Sequence, residues 1–466
     1  MQFEKSDLLN NFDIFPKVVV AGKPVTLTMR ALGDRFRFAP NTEYRTLVCA
    51  LNQGQPRDYP KSADFQEMTL TADENGEIRF THTFTAEQEY HIRLFADPED
   101  RRPQVVFSIY CVAEDLAGRY PYIGDLHVHT LCSDGHQTPE VVCANYRAHG
   151  YDFMAITDHK RYYPSLRAIE FYRDVPTELN IVPGEEIHLP PVHGATNDVH
   201  IVNFGGEFSV NSLIEGTATE EVGTDPKFRT IRDEAEPVMT LAEYEDKLQA
   251  YADAMDIPEH LDRIPVAVCK WIFEQIRRGN GLGIFAHPYW RSNVYQVPDD
   301  VVDYFMENRE FDAFEVLGGE NYFEQNGFQT VRYYEDMAKG HRYPIVGSTD
   351  THNSYEQNRN AFICSTIVFS PANERTALIK SVKDYYSVAV DTISKEFRLV
   401  GESRLVRYGC FLLKHFFPIH DEVCFEEGRL MKQVAVGTPE EKEDALATLK
   451  VMHGRVQKLR EKYFAF

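Results

Sequence analysis

The sequence has few basic residues for its length. Its 466 residues include 49 Lys and Arg against 72 Asp and Glu, which gives a formal net charge of -23. Such a surface repels the phosphate backbone of nucleic acids. We therefore expect no long nucleic acid as a partner, whereas a small phosphorylated ligand is compatible with a pocket in which metal ions reverse the local field.

Long apolar runs and secretion signals are also missing. No stretch has the length and apolarity of a membrane span, and the first residues show no basic segment followed by an apolar one. The eight cysteines form no CxxC pair and are typical of reduced thiols. These absences predict a cytoplasmic protein without a membrane partner, and they leave its oligomeric state open.

The length predicts two or three domains. Residues 1–118 contain about seven short β-type runs separated by turn signals such as Asp73-Glu74-Asn75-Gly76, which predicts an immunoglobulin-like β-sandwich without chemistry of its own. Residues 391–466 are expected to form a helical C-terminal extension, with one amphipathic terminal helix over Pro439–Lys462.

Between residues 119 and 390, short apolar runs that end in polar clusters alternate with helix-like segments. This pattern predicts an α/β fold, a parallel β/α barrel with functional groups at the carboxyl ends of its strands. The seven candidate strands are Ile123–His129, Phe153–His159, Ile181–Glu186, His200–Phe204, Leu282–His287, Phe311–Leu317 and Tyr343–His352.

An acidic insertion interrupts the predicted barrel at about residues 206–265, with 15 Asp and Glu against 5 Lys and Arg. It includes a helical stretch around Leu241–Ala254. Long insertions of this kind are either lids over the barrel mouth or solvated excursions, and the sequence leaves both open.

Histidines and carboxylates recur at the ends of the candidate strands. His127 and His129 stand two residues apart, so in a strand they point to the same face and can hold one metal ion together. Asp350 and His352 repeat that spacing after the last candidate strand. The complete series is His127, His129, Asp134, His159, Glu186, His200, His287, Asp350 and His352.

A single histidine of this kind is more often an ordinary buried or surface residue. Three carboxylates at one barrel mouth, however, would repel one another and would be costly to bury without cations. Nine ligands can serve three divalent ions if one carboxylate bridges two of them. A donor set rich in imidazole suits Zn, Fe or Mn better than Mg alone.

Residues from about Tyr122 to Phe369 resemble a PHP domain, named for polymerase and histidinol phosphatase. The resemblance implies a distorted (β/α)7 barrel, a trinuclear metal site formed by these nine residues, and phosphoesterase activity. It covers roughly half of the chain and does not extend to the sandwich, the insertion or the C-terminal extension. The shared motifs are Asp125–Thr130 (DLHxHT), Ser133–Gly135 (SDG), Thr157–His159 (TDH), Gly184–Glu186 (G-x-E), His200, Ala286–Pro288 (AHP) and Asp350–His352 (D-x-H).

The motifs select Glu186 and His200 where neighbouring residues offer alternatives. In a strand Glu185 would face away from Glu186, whereas His188 would share its face. His193 lies in a Pro- and Gly-rich loop, where it either contacts substrate or is solvated.

Other side chains near the motifs are candidates for supporting roles. We expect Asp158, and Asp125 likewise, to orient ligand imidazoles as hydrogen-bond acceptors, the alternative being that they cap strand ends. Glu315 and Asn353 either line the pocket or close a loop. The candidates for substrate binding, each of them alternatively a surface charge or a solvated residue, are Lys160, Arg161, His193 and Arg291.

The predicted reaction is hydrolysis of a phosphate ester by a metal-bound hydroxide that attacks phosphorus in line. The expected substrate is a small phosphorylated metabolite or nucleotide. The alternatives are a nuclease or phosphodiesterase on oligonucleotides, a metal-dependent amidohydrolase, which also carries H-x-H on a β/α barrel, and a non-catalytic metal-binding scaffold. Activity on oligonucleotides that falls steeply with salt would favour the nuclease.

Overall fold

The computed structural model describes residues 3–53, 65–216, 238–319, 323–355, 361–393 and 397–466. The described residues form two compact units. The sandwich unit consists of Gln2–Tyr120, Ser403–Cys424 and Gly454–Phe466, and the β/α unit of Pro121–Glu402 and Phe425–His453. Residues 217–237 of the acidic insertion lie outside the described residues.

The sandwich unit contains two β-sheets. Its strands are β1 (Phe12–Phe15), β2 (Val18–Val20), β3 (Pro24–Ala31), β4 (Glu43–Ala50), β5 (Gln66–Thr71), β6 (Glu77–Thr83), β7 (Gln88–Phe95) and β8 (Val105–Val112). The order β1-β3-β6 forms an antiparallel sheet. The second sheet has the order β2-β8-β7-β4-β5, in which only β2 and β8 run parallel.

Alternating side chains of these strands form the core of the sandwich unit. In β7, Tyr90, Ile92 and Leu94 are buried, and they share one apolar cluster with Leu27 and Met29 of the other sheet. A period of two is what a strand shows when one of its faces packs on a core.

The helices begin at residues that favour helix starts. Thr138 caps the helix whose first residue is Pro139, and Thr240 and Thr438 each form a capping box with a glutamate three residues later. The helices are Asp7–Asn11, Pro139–Ala148, Tyr163–Tyr172, Leu241–Ala254, Arg263–Arg278, Asp299–Asn308, Phe323–Ala338, Arg375–Lys383, Ser403–His415, Phe417–Val436, Pro439–Met452 and Arg455–Tyr463.

The single terminal helix predicted over Pro439–Lys462 is wrong in one respect. The chain forms two helices there, separated by His453 and Gly454. Gly454 has a φ of 81°, a left-handed backbone conformation that ends a helix and that glycine adopts without steric cost.

The β/α unit contains two open sheets. Its strands are β9 (Tyr120–Asp125), β10 (Phe153–Ala155), β11 (Asn180–Val182), β12 (Gly184–Ile187), β13 (Ile201–Phe204), β14 (Leu282–Phe285), β15 (Ala313–Leu317), β16 (Ile345–Gly347), β17 (Cys364–Ser370), β18 (Ser387–Asp391) and β19 (Arg398–Val400). The first sheet has the order β11-β10-β9-β17-β18-β19, and the second the order β12-β13-β14-β15-β16.

The described residues therefore show a mixed α/β fold without one closed (β/α)7 barrel. The strand predicted over Ile181–Glu186 is broken at Pro183, which has no N–H to donate to a ladder, so β11 pairs in one sheet and β12 in the other. The predicted barrel is also open between its first and last strands, because β9 pairs with β17 rather than with β16. An isolated bridge joins the predicted strands at each opening: His159 with Glu186 at the first, and Val128 with Thr351 at the second.

None of the helices in the described part of the chain has the length and apolarity that crossing a bilayer requires. All eight cysteines are free thiols, and all but Cys410 are buried.

Candidate metal centre

The nine predicted ligands converge at one edge of the β/α unit. His127 and His129 follow the end of β9, and His287 follows the end of β14. β13 is antiparallel to both β12 and β14, so its first residues lie at the edge where those strands end. His200 thus reaches the same edge from the start of a strand.

Potential ligand atoms at this edge fall into five overlapping groups, and within each group they lie within 4.8 Å of one another. Two of the groups add a residue outside the nine, Glu315 beside His127 and His287, and His188 beside His159 and Glu186. The other three contain predicted ligands alone and together include all nine. The central group is His127, His129, Glu186 and Asp350. The flanking group is Glu186, His200 and His287. The outer group is His129, Asp134, His159 and His352.

Glu186 links the central and the flanking groups through its two carboxylate oxygens. Its Oε2 lies 3.2 Å from His127 Nε2 and 3.3 Å from His129 Nε2, in the central group. Its Oε1 lies 2.6 Å from His200 Nδ1, in the flanking group. Asp350 completes the central group, with Oδ1 2.9 Å from His129 Nε2.

The outer group is more open to solvent than the other two. Asp134 Oδ2 lies 3.3 Å from His352 Nε2 and 3.5 Å from His159 Nε2. The Asp134 side chain is 54% exposed, whereas all four residues of the central group are buried. The centre thus has a buried interior and one face that water and ligands can reach.

The donor atoms fit divalent cations. Both ring nitrogens of His129 and of His287, and Oε1 of Glu186, are buried and form no hydrogen bond of normal geometry among the described residues, although oppositely charged groups lie close to some of them. Buried polar atoms are normally hydrogen-bonded, because leaving them unpaired costs roughly 1–3 kcal/mol each. Zn, Fe or Mn ions would coordinate these lone pairs, and imidazole nitrogen with carboxylate oxygen is a donor set that such ions bind.

The carboxylates and imidazoles of the centre shift one another's pKa. Against the effect of burial, the neighbouring carboxylates raise the pKa of His127 well above its usual range and that of His159 to about 10, so both rings must release a proton when they bind a metal ion. Burial raises the pKa of Asp350, but the imidazoles of His127, His287 and His129 outweigh it and hold that pKa well below its usual range. Burial lowers the pKa of His287 to about 3, with the neighbouring imidazoles adding to the effect, so this imidazole is neutral. Ionised carboxylates and neutral imidazoles are the forms that bind metal ions.

The backbone is strained at two of these residues. His287 has a φ of 23° and Asp350 a φ of 53°, values that side chains other than glycine seldom adopt. Strained conformations of this kind persist where the surrounding structure fixes them, and they cluster at functional sites.

Asp125 and Asp158 hold the backbone around the ligands. Asp158 accepts hydrogen bonds from the Thr130 N–H at 2.7 Å, the Thr130 hydroxyl at 2.7 Å and the Ser133 hydroxyl at 2.6 Å. Asp125 accepts from the backbone N–H of His127 and of Thr349. Among the described residues the hydrogen bonds of both carboxylates go to main chain and hydroxyl groups of the ligand-bearing turns, which fits the capping alternative better than direct contact with an imidazole ring.

Glu315, which the sequence suggested only as a pocket or loop residue, is the acceptor for one of the ligand rings. Its Oε2 lies 3.0 Å from His127 Nδ1, and both side chains are fully buried. A carboxylate on the second nitrogen of a metal-binding histidine fixes its tautomer and orientation. The sequence signal for this role was weak: Glu315 is a single charged residue within the apolar strand β15.

The predicted substrate residues have different surroundings. Lys160 is exposed, and its backbone N–H donates to the Glu186 carbonyl, which keeps it beside the centre. Arg161 lies 3.4 Å from the Tyr163 hydroxyl, and Arg291 forms an exposed ion pair with Glu324.

His193, the fourth predicted substrate residue, is not brought to the ligand groups. Its side chain is 51% exposed and lies 3.9 Å from Glu245, and its backbone N–H donates to the same carboxylate. The position fits the solvated-loop interpretation better than contact with substrate at the centre.

Glu185 and His188, the two alternatives near Glu186, point in opposite directions, as the alternation of side chains in a strand predicts. Glu185 is buried away from the ligand groups, where Ser209, Asn211 and Asn203 donate to it. His188 lies with its Nε2 2.8 Å from His159 Nδ1, beside the outer group.

Comparison with known proteins gives similarity at the level of structure. No protein-family model matches the chain, and no curated protein matches it either. A similar solved structure is a two-domain protein of Bacteroides vulgatus that contains a predicted PHP-like metal-dependent phosphoesterase, with 14% identity and a TM-score of 0.36. The similarity covers 58% of this chain and 65% of that one, so this chain spans less than two thirds of that protein.

Two further solved structures are similar over about half of this chain. One, from Bifidobacterium adolescentis, is provisionally named a metal-dependent phosphoesterase, with 20% identity, a TM-score of 0.31 and coverage of 50% of this chain and 89% of that one. The other is an amidohydrolase of Chromobacterium violaceum with bound sulfate, with 18% identity, a TM-score of 0.28 and coverage of 49% and 87%. The PHP resemblance seen in the motifs agrees with the names of the first two structures. These similarities are distant, and the site is therefore assigned from the side chains of this protein.

Proposed function

We propose that this protein is a metal-dependent phosphoesterase that hydrolyses a small phosphorylated metabolite or nucleotide. The observation that carries the proposal is the convergence of nine histidine and carboxylate side chains in three groups that share Glu186 and His129. Structural metal sites are closed by their ligands, whereas catalytic sites keep positions open for water and substrate. The exposed side of the outer group, at Asp134, is such an opening.

Each group is proposed to hold one Zn, Fe or Mn ion. Glu186 would be the carboxylate shared by two ions, because its two oxygens face different groups. Divalent ions, when bound, lower the pKa of coordinated water toward about 7 and offset the negative charge of phosphoryl oxygens.

The protein's own residues would admit, hold and orient the ester. The central group is buried, so the ester is proposed to enter from the side of Asp134, His159 and His352. Lys160 stands at this side, anchored through its backbone N–H to Glu186, and Arg161 follows it. Cationic side chains and bound ions together would attract a phosphate to one place on a strongly acidic protein.

The test is hydrolysis of p-nitrophenyl phosphate, a monoester, and of bis(p-nitrophenyl) phosphate, a diester. Chelator-treated protein is reconstituted with Zn²⁺, Mn²⁺ or Fe²⁺ before assay. We expect monoester hydrolysis that requires added metal, and loss of both activity and bound metal in His127→Ala and Asp350→Ala. The matched control is His260→Gln, because His260 is exposed and belongs to none of the groups found among the described residues.

Two results would count against the proposal. Survival of both activity and metal content in His127→Ala would show that the site is wrongly assigned. Cleavage of the diester or of an oligonucleotide, with no monoester hydrolysis, would show that the protein is a nuclease or phosphodiesterase and would contradict the proposed substrate class.

A further inference from the structure

His188 lies beside two predicted ligands, His159 and Glu186, with which it forms a group of potential ligand atoms, but it belongs to none of the three groups made of predicted ligands alone. We propose that His188 is a positioning residue that holds His159 in the tautomer with which it can bind metal through Nε2, and that Glu185 and Asn211 anchor His188 for this purpose. The inference rests on the proposed metal-dependent function, since it concerns one of the predicted ligands.

The two ring nitrogens of His159 face different partners. Its Nε2 points toward Asp134 Oδ2 at 3.5 Å, inside the outer group. Its Nδ1 lies 2.8 Å from His188 Nε2 in a hydrogen bond. A neutral imidazole carries one proton, so His159 can bind metal through Nε2 only when Nδ1 carries that proton and donates it to an acceptor.

His188 is the better acceptor of the two that lie near His159 Nδ1. Glu186 Oε2 is also close, at 2.9 Å, but the same oxygen faces His127 and His129 in the central group. An oxygen that bound an ion of the central group would be a weaker hydrogen-bond acceptor, because the ion would offset its negative charge. Nε2 of His188 also lies 3.7 Å from Glu186 Oε1. In the tautomer that carries its own proton on Nδ1, this nitrogen would accept from His159 Nδ1 without engaging an oxygen of the central group.

His188 is itself fixed by a buried hydrogen-bond chain. Its backbone N–H donates to Asn211 Oδ1 at 3.2 Å, and Asn211 Nδ2 donates to Glu185 Oε2 at 2.9 Å. Glu185 is fully buried and also accepts from the Ser209 hydroxyl at 2.6 Å. This arrangement gives Glu185, which faces away from the metal groups, a role in supporting them.

The experiment measures metal affinity, so it does not depend on the substrate. Zn²⁺ binding to the full-length protein is followed by competition with a chromogenic chelator, and the visible spectrum of the Co²⁺-loaded protein is recorded. Asp134→Ala identifies the equivalent of metal that the outer group holds. Removing partners of this kind typically costs about 10- to 100-fold in metal affinity, so His188→Leu is expected to weaken that equivalent by this factor and to leave the others unchanged.

Two further variants separate positioning from folding. His188→Gln keeps an oxygen that can accept from His159 Nδ1, and it is expected to restore most of the affinity and the Co²⁺ spectrum. Asn211→Ala removes the anchor of His188 but leaves its ring, and it is expected to weaken the same equivalent. His260→Gln is the control, and circular dichroism of each metal-free variant checks its fold.

The outcomes distinguish this inference from the proposed function. If the wild type binds three equivalents and His188→Leu binds all three with unchanged affinity, the inference is overturned and the proposed function stands. Should His188→Leu not fold, the same result with Asn211→Ala overturns the inference. If the wild type binds no metal after reconstitution, both are overturned. Selective weakening of the outer equivalent, with rescue by His188→Gln, supports the inference.

Discussion

Glu315 offers a sharp prediction because it lies outside the nine predicted ligands yet contacts one of them. Its carboxylate is 3.0 Å from Nδ1 of His127, and neither side chain is accessible to solvent. Glu315→Gln keeps the shape and an oxygen acceptor but removes the charge. Glu315→Ala removes the acceptor as well and leaves a buried Nδ1–H unpaired.

The expected effects follow from the energies of buried hydrogen bonds. A hydrogen bond to a charged group contributes about 1.5–3 kcal/mol, and a neutral one about 0.5–1.5 kcal/mol. The difference, on the order of 1.4 kcal/mol, corresponds to about tenfold in affinity for Glu315→Gln. In Glu315→Ala, where the acceptor is lost, we expect the metal affinity to fall by about 100-fold, the upper end for partners of metal-binding histidines.

The assay is Zn²⁺ affinity measured by chelator competition above neutral pH. Burial raises the pKa of Glu315 to about 7, with His127 opposing the shift, so the carboxylate is ionised only above that value. Thermal unfolding of the metal-free protein serves as the control, and Glu315→Gln is expected to leave it nearly unchanged. Wild-type affinity in both variants would refute the view that Glu315 holds His127 for metal binding.

Two further predictions concern stability and are measured by urea unfolding. Glu427→Ala removes the carboxylate that lies 2.8 Å from Nη2 of the fully buried Arg147, whose Nη1 keeps Asp152 at 3.4 Å, so we expect a loss of about 3 kcal/mol, the lower end for a broken buried pair. Glu426→Ala breaks an exposed pair on the same helix and should cost under about 1 kcal/mol. Equal losses would contradict the reasoning. Burial lowers the pKa of Lys17 from 10.5 to about 8. Between these two pH values the unfolded chain binds more protons than the folded protein, so the free energy of unfolding should rise with pH, by about 3 kcal/mol. Lys17→Met should flatten that rise, and a wild type without it would contradict the assignment.

Much of the local structure could be predicted because it depends on short-range patterns. The helix Leu241–Ala254 has the predicted bounds. The ligands occur in ordered motifs, and most of them lie within a few residues of a strand end or a strand start, so the structure brings together residues that are far apart in the chain. Their contacts follow from the strand ends that meet at one edge, which His200 reaches from the start of the antiparallel β13.

The arrangement of the sheets depends on details that the apolar pattern does not register. Pro183 is one residue in a β-type run, but its missing N–H divides that run between two sheets. Likewise, Gly454 interrupts a charge and apolar pattern that is otherwise continuous. The spacing of apolar residues predicts a continuous strand across Pro183 and a continuous helix across Gly454.

The partners of the ligand rings were harder to predict than the ligands. Glu315 and His127 are 188 residues apart, and only the packing of β15 against the ligand edge joins them. His188 shares the face of Glu186, but its hydrogen bond to His159 depends on how the two sheets meet at the bridge between His159 and Glu186. Such contacts are tertiary and leave no spacing signal in the chain.

The most direct test of the central claim is the number of metal ions per chain, measured by mass spectrometry after reconstitution and removal of excess metal. The wild type is predicted to hold three equivalents and Asp134→Ala two. Glu186→Ala is predicted to lose more than Asp134→Ala, because Glu186 belongs to two groups and Asp134 to one. A wild type that retains no metal, or a Glu186→Ala variant that retains all of it, would contradict a metal centre bridged by Glu186.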